Sequence, residues 1–229
     1  MHSFARHRHR KPDKTSTKTT KGLVLNAGQG YDLSALLFDT LWFRGQWREL
    51  RQRTITLAHI QAGERVLDVG CGTGTLALEV ARRVSNASLI AGIDPGTQQI
   101  ARAKAKAARR REPVNFQVGV IEQIPFPDQT FDVVFSTLMM HHLPASLKRQ
   151  GLAEIARVLK PGGRLIIADF TRKQDRHGRA ARFHAGGSNL QDLTASIQES
   201  GLIQVTTEEM MPKRFSAFPG AGFIIAYKR

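Results

Sequence analysis

From residue 31 onward the apolar positions follow two rhythms that alternate along the chain. Between Tyr31 and about Ile60 the period is helical. Leu33, Leu36, Leu37, Leu41, Trp47 and Leu50 recur at three- and four-residue spacings, with Arg44, Arg48, Arg51 and Arg53 between them. Gly45 divides this stretch into two predicted helices. Beyond it, short apolar runs read as strands at Arg65–Val69, Ser88–Ile93, Val114–Val118, Phe131–Thr137, Arg164–Asp169, Ile203–Glu209 and Gly222–Tyr227. Helical patterns separate most of them, at Thr75–Val84, Gln98–Arg111, Leu147–Leu159 and Leu190–Ser200.

Strands that are apolar throughout and alternate with helices imply a parallel sheet covered on both faces. The last two strands have no helix between them, which predicts an antiparallel hairpin at one edge. The fold class read from the pattern is therefore α/β: a doubly wound, mostly parallel seven-stranded sheet with helices on both faces, an antiparallel strand at one edge and a helical N-terminal cap. Ligands in such folds bind beyond the carboxyl ends of the strands, where the strand order reverses. The domain boundaries follow: a basic tail over 1–22, the cap over 23–60 and the main domain over 61–229.

The tail reads as disordered, because its clustered like charge and scarce apolar content recover little hydrophobic energy on ordering. His2, His7 and His9 fall in it and read as a solvated tract rather than a metal site. Cys71 is the only cysteine, so neither a disulfide nor a cysteine-based metal cluster is expected, and no metal is assigned. No apolar run is long enough to span a bilayer and no secretory signal is evident, so the expected location is cytoplasmic.

The net charge of +15 narrows the partners without choosing one. Residues 1–21 carry seven Lys/Arg against Asp13, and the rest carries 27 basic against 18 acidic residues. Both parts are basic. Nucleic acid, an anionic membrane surface and acidic small molecules are all compatible with that balance.

The chemistry concentrates in loops after strands. Asp68-Val69-Gly70-Cys71-Gly72-Thr73-Gly74 closes the first strand and opens a helix. Its glycines permit close backbone approach, and the helix N-terminus suits a ligand carboxylate. The G-x-G-x-G spacing differs from the G-x-G-x-x-G of dinucleotide binders. Asp68 adds a carboxylate suited to an ammonium group. Asp94 ends the second strand, 20 residues past Gly74, at the distance of an acid that accepts ribose hydroxyls. Alone it also fits NAD, or a cap for the helix starting near Gly96.

These segments resemble the class I S-adenosylmethionine (SAM)-dependent methyltransferases. The resemblance rests on VLDVGCGTG, GIDP, IEQIPFPDQTFDVVFS, HHLP and EIARVLKPGGRLIIADF in that order, from about Glu64 to Phe170. It is strongest to the small enzymes of quinone and lipid biosynthesis. It implies that Asp68, Gly70 and Gly72 hold the methionine part of SAM, with Cys71, Thr73 and Gly74 lining the turn. Asp94 would hold the ribose and Pro95 would pack near the adenine. The adenine loop reads Gly119-Val120-Ile121-Glu122 where the family often has G-D-A-E. Val120 therefore supplies no side-chain bond to adenine, leaving the Ile121 backbone for that contact and its side chain for the ring. Ser136, Thr137 and Leu138 would face the reacting sulfonium. The product would be S-adenosylhomocysteine.

Methyl transfer from a sulfonium is a direct displacement, so the protein aligns the reactants and removes a proton where one is lost. His141, after the fourth strand, is the candidate base, ahead of His142. Both alternatively serve only to pack in the turn before Pro144. Cys71 reads as a small residue whose backbone touches the donor rather than as a nucleophile. Met139, Met140, Phe126 and Phe131 read as core or pocket wall. The family's N-terminal segment covers the donor site, so Tyr31 reads either as a lid residue or as an ordinary aromatic at a helix start. Lys160-Pro161-Gly162-Gly163 reads as a helix end and turn. The segment 171–188, with Arg172, Lys173, Arg176, Arg179 and Arg182, reads as a basic flap over the acceptor.

The resemblance points to a small-molecule acceptor such as a quinone precursor or lipid head group. Nucleic acid fits the charge, but the Asn/Asp-Pro-Pro-Tyr/Phe motif of base methyltransferases is missing after the fourth strand. Trp42, Phe43 and Trp47 among arginines allow either a peripheral membrane contact or a core-packed cap. The reading from another class is a SAM-binding module without catalysis, tied to a partner or to RNA by the tail. Nothing in the sequence sets the oligomeric state.

Overall fold

The computed structural model describes residues 45–84, 89–171, 190–214 and 220–229. Helix α1 (Gln46–Leu57) is followed by β1 (Arg65–Val69), α2 (Thr75–Arg83), β2 (Leu89–Asp94), α3 (Thr97–Arg110) and β3 (Val114–Val118). Then come β4 (Phe131–Thr137), a 3-10 turn (Met140–His142), α4 (Ala145–Val158) and β5 (Leu159–Phe170). Helix α5 (Leu190–Glu199), β6 (Leu202–Met210) and β7 (Ala221–Lys228) complete the chain.

The seven strands form one sheet in the order β3-β2-β1-β4-β5-β7-β6. Strands β1 to β5 are mutually parallel, while β7 runs antiparallel to both β5 and β6. The predicted hairpin is thus present at one edge, with β7 on its inner side. Burial explains that placement: Ala221–Ala226 is apolar and buried on both faces, whereas β6 alternates and tolerates one open edge.

Alternate residues of each strand feed two cores. Val66, Ile90, Phe135 and Ile166 pack beneath α2 and α3, together with Ile100, Ala103 and Ala107 of α3. Leu67, Val69, Ile93, Val134 and Ile167 face the other way, against Leu152 and Ile155 of α4 and Ile197 of α5. The strand order turns back between β1 and β4, so the carboxyl ends of these two strands flank the predicted ligand crevice.

Helix α1 forms a third cluster with the ends of β5, β6 and β7. Leu50 packs with Ala168, Phe170, Met210 and Phe223, and Trp47 meets Phe170 edge-on at 6.0 Å. Gln46 is fully buried, donating to the Met211 carbonyl at 3.2 Å and accepting the Lys213 N–H at 3.1 Å. Trp47 and Leu50 are therefore turned into the protein, as in the core-packed reading of the cap. Trp42 and Phe43 lie outside the described residues, as do the tail, Tyr31 and residues 172–188. Among the described residues no helix is long and apolar enough to cross a membrane.

Lys160-Pro161-Gly162-Gly163 corrects an expectation. It is not a turn after a helix but the irregular opening of β5. Phe131 pairs with Leu159 and Val133 with Arg164, so these residues bulge out opposite Asp132. Leu159 is fully buried and takes a ladder position directly after α4, and Gly162 supplies the left-handed conformation at φ 75° that the bulge requires.

Candidate active site

The β1–α2 turn is fastened to the end of β2. The Gly70 and Cys71 N–H groups both donate to the Ile93 carbonyl, at 2.8 and 2.9 Å, and the Gly74 N–H closes the turn on the Cys71 carbonyl at 2.9 Å. Gly70, Gly72 and Gly74 all have positive φ, at 74°, 53° and 77°. Packing separates their duties. A Cβ on Gly70 would lie 2.5 Å from Met139 Cγ and one on Gly74 2.4 Å from Phe116 Cζ, whereas one on Gly72 would meet nothing within 4 Å. Gly72 thus faces the open side of the turn.

Two acids flank it. Asp94 Oδ2 accepts the Gly72 N–H at 2.9 Å and Oδ1 accepts the Gly96 N–H at 2.8 Å. It therefore braces the residue that opens α3 and the glycine turn at once. Asp68 is buried and its Oδ2 has no partner among the described residues. Burial, reinforced by the charge of Asp94 and opposed by the Ala77 N–H, pushes its carboxyl up to about 7. A buried acid without a cation is costly; a ligand ammonium would relieve it. Thr73 is buried and accepts a bond from Lys106 Nζ at 2.7 Å. Cys71 is buried, and burial, then the charges of Asp68 and Asp94, push its thiol well up, so the thiolate needed for nucleophilic chemistry is suppressed.

The loop after β3 lies alongside. Its Gly119 N–H donates to the Asp94 carbonyl at 3.2 Å. Val120 is half-buried and Pro95 likewise. Ile121 differs from expectation: its side chain belongs to the core and fills the space a Cβ on Gly151 of α4 would need, 2.6 Å from Ile121 Cδ1. Only its backbone remains for a ligand. Glu122 is buried with both carboxylate oxygens unpartnered among the described residues. A groove of about 720 Å³ runs past Val118, Gly119 and Val120 toward Phe126 and Arg157 and does not reach the histidines.

At the end of β4, Ser136 Oγ and Thr137 Oγ1 are buried without partners among the described residues. Leu138 follows at φ 54°, uncommon for a bulky residue, held by its N–H bond to the Ala168 carbonyl at 2.7 Å. That kink launches the 3-10 turn carrying the histidines. His141 Nδ1 lies 2.5 Å from Asp169 Oδ1, and the His141 backbone N–H donates to Asp169 Oδ2 at 2.8 Å. The His141 ring lies 3.8 Å from that of His142 and 5.3 Å from that of Phe170, centroid to centroid. His142 reaches the surface, and partial desolvation of its ring, with His141 beside it, lowers its pKa against the pull of Asp169.

Asp169 is the residue the sequence reading missed. The available signal was an acid at the carboxyl end of β5, next to the reversal of strand order. Its pairing with a histidine 28 residues earlier is visible only once β4 and β5 are aligned, with Thr137 beside Ala168.

The buried acid on β1, with one oxygen unpartnered among the described residues, the braced acid on β2 and the open Gly72 backbone fit a nucleoside that carries both an ammonium and a carboxylate. Comparison with known proteins agrees. A methyltransferase-domain family profile matches residues 66–163. The 27-O-demethylrifamycin SV methyltransferase of Amycolatopsis mediterranei is 30% identical over 217 residues, 83% of this chain and 78% of its own length. The demethylmenaquinone methyltransferase of Symbiobacterium thermophilum is 36% identical over 141 residues, 61% of this chain and 55% of its own. Among solved structures, a SAM-dependent methyltransferase from Aquifex aeolicus superposes with a TM-score of 0.67 at 18% identity, over 89% of this chain and 100% of that one. The [4+2]-cyclase SpnF superposes with a TM-score of 0.68 at 23% identity, over 79% and 80%. These two likenesses concern the fold alone. The chain belongs to the SAM-dependent methyltransferases, with SAM as methyl donor. The buried Asp68, Ser136 and Thr137 oxygens, unpartnered among the described residues, fit that donor.

Proposed function

We propose that this enzyme methylates a hydroxylated small molecule, with His141 as the base and Asp169 as its positioning partner. The carrying observation is the doubly bonded pair at the mouth of β4 and β5. Asp169 accepts from Nδ1 of the ring, which fixes the tautomer and leaves Nε2 as the proton acceptor. Bound SAM supplies a methyl group on a sulfonium whose departure leaves a neutral thioether. His141 takes the hydroxyl proton of the acceptor as its oxygen becomes nucleophilic, and Asp169 balances the imidazolium that results. Asp68 would receive the donor's ammonium, the Gly70–Gly74 turn its carboxylate and Asp94 its ribose. Ser136 and Thr137 would line the reacting centre. Phe170, beside His141 and covered in turn by Trp47, favours an acceptor with an apolar body.

The relatives support an acceptor of this kind. The name of the rifamycin relative places the methyl on an oxygen, and a relative from Geobacter sulfurreducens is named a ubiquinone/menaquinone biosynthesis C-methyltransferase. Removing a hydroxyl proton activates an alcohol or phenol oxygen and equally enriches the ring carbons of a hydroquinone. The test is labelled SAM with a panel of macrocyclic alcohols, phenols and hydroquinones, followed by mass analysis. Label in a hydroxylated product, lost in His141→Ala with donor binding kept, is the expected result. Transfer that ignores His141, or the absence of transfer to every hydroxylated acceptor, would overturn the proposal.

A further inference from the structure

Gln99 is buried, 5% exposed, and its Oε1 has no partner among the described residues. Its neighbour Gln98 is exposed, so burial is peculiar to one of two identical side chains. Leaving an amide oxygen dry and unbonded is costly, which calls for a donor that arrives with a ligand.

The fold says where that oxygen lies. Ala103 of α3 touches the glycine turn: a Cβ on Gly74 would lie 3.0 Å from Ala103 Cβ. Gln99 is four residues earlier, on the same helical face and one turn closer to the start of α3. The start of α3 follows the carboxyl end of β2, so Gln99 sits above the turn on the ligand side. Asp94 lies between the glycine turn and this position, and its backbone carbonyl is bonded by Gly119 of the β3 loop. A nucleoside with its ribose at Asp94 and its amino-acid end at Asp68 directs its base outward, between the first turn of α3 and the β3 loop. On the loop side the half-buried Val120 has no side-chain hydrogen-bonding group, and Ile121 is committed to α4.

We infer that Gln99 Oε1 accepts the exocyclic amine of adenine and is the residue by which this enzyme reads the base of its donor. An amide oxygen is a pure acceptor and the adenine amine a donor, so the pairing satisfies both. It also explains how a loop with valine at position 120 can still distinguish adenine.

The assignment rests on the donor site described above, and the test separates the two. S-adenosylhomocysteine and its analogue with hydrogen in place of the adenine amine are titrated against wild type, Gln99→Met, Gln99→Glu and Glu122→Met, the last because Glu122 is the other buried acceptor without a partner among the described residues. Wild type should prefer the amine-bearing ligand by roughly 3- to 10-fold. Gln99→Met, with similar bulk and no acceptor, should bind both alike, while Gln99→Glu keeps an acceptor and the preference. Thermal melts check that each variant folds, and the wild-type ratio needs no variant. A wild type indifferent to the amine, an undiminished preference in Gln99→Met, or a preference lost only in Glu122→Met would each overturn the role of Gln99. Failure of wild type to bind either ligand would instead overturn the donor site.

Discussion

Asp169 holds His141 at two points, through the ring Nδ1 at 2.5 Å and through the backbone N–H at 2.8 Å. One carboxylate thereby pins both the backbone of the turn and the ring of His141. Its buried position at the end of β5 keeps water from competing for either bond.

The proposed role of His141 as base predicts that its removal lowers the chemical step and spares donor binding. His141→Ala and Asp169→Asn are each expected to reduce kcat by about 10²- to 10⁴-fold, leaving S-adenosylhomocysteine affinity unchanged. Because the two act as a unit, the double variant should be little worse than the worse single one. Single-turnover rates at saturating donor measure this, and fully additive losses would separate the residues.

Donor binding should carry a pH signature from Asp68. Its carboxyl is raised to about 7 by burial and by Asp94, above its unfolded value. The folded state therefore keeps this proton longer than the unfolded chain does. Its effect on the ligand-free protein is a loss of stability as pH rises from about 4 to about 7, levelling beyond. A ligand ammonium favours the ionised acid, so affinity for S-adenosylhomocysteine should rise as pH passes through 7. Calorimetry from about pH 5.5 to about 8 tests both slopes, and Asp68→Asn should flatten them while weakening binding.

The glycine turn offers a matched pair. Gly72→Ala meets only the cost of a left-handed alanine, about 1–2 kcal/mol, and should fold but lose donor affinity because its methyl enters the open side of the turn. Gly74→Ala drives a methyl into Phe116 and should cost about 2–5 kcal/mol in all. Denaturant melts beside ligand titration separate the two, and similar stability losses would contradict the packing described.

Helix α1 should affect the acceptor rather than the donor. Gln46→Ala leaves the Met211 carbonyl and the Lys213 N–H without this partner and loosens the first turn of α1, at a cost of about 1–2 kcal/mol. Trp47, the next residue, would then be held less firmly on Phe170. A raised KM for acceptor with unchanged donor affinity is the expected outcome in steady-state kinetics.

Much of the frame was legible in the linear pattern because strands buried on both faces are continuous in sequence. The boundaries of β1, β3 and β4 were read without error, since each is an apolar run closed by turn residues. The opening of β5 was misread because Pro161 and two glycines are ordinary turn chemistry. What overrode them was the burial of Leu159 in the ladder opposite Phe131. The side-chain direction of Ile121 was misjudged for a similar reason: the space it fills is created by Gly151, 30 residues away on α4.

The order of residues alone carried the resemblance that names the methyl donor, because Asp68, the glycine turn and Asp94 are local features, each a strand end with its own loop. Folding decided the rest: that Asp169 reaches His141, that Ile121 serves the core, and that Gln99 rather than Gln98 is enclosed. Those outcomes depend on which elements come to lie side by side. Contacts between distant segments, unlike turns and caps, leave no periodic trace along the chain.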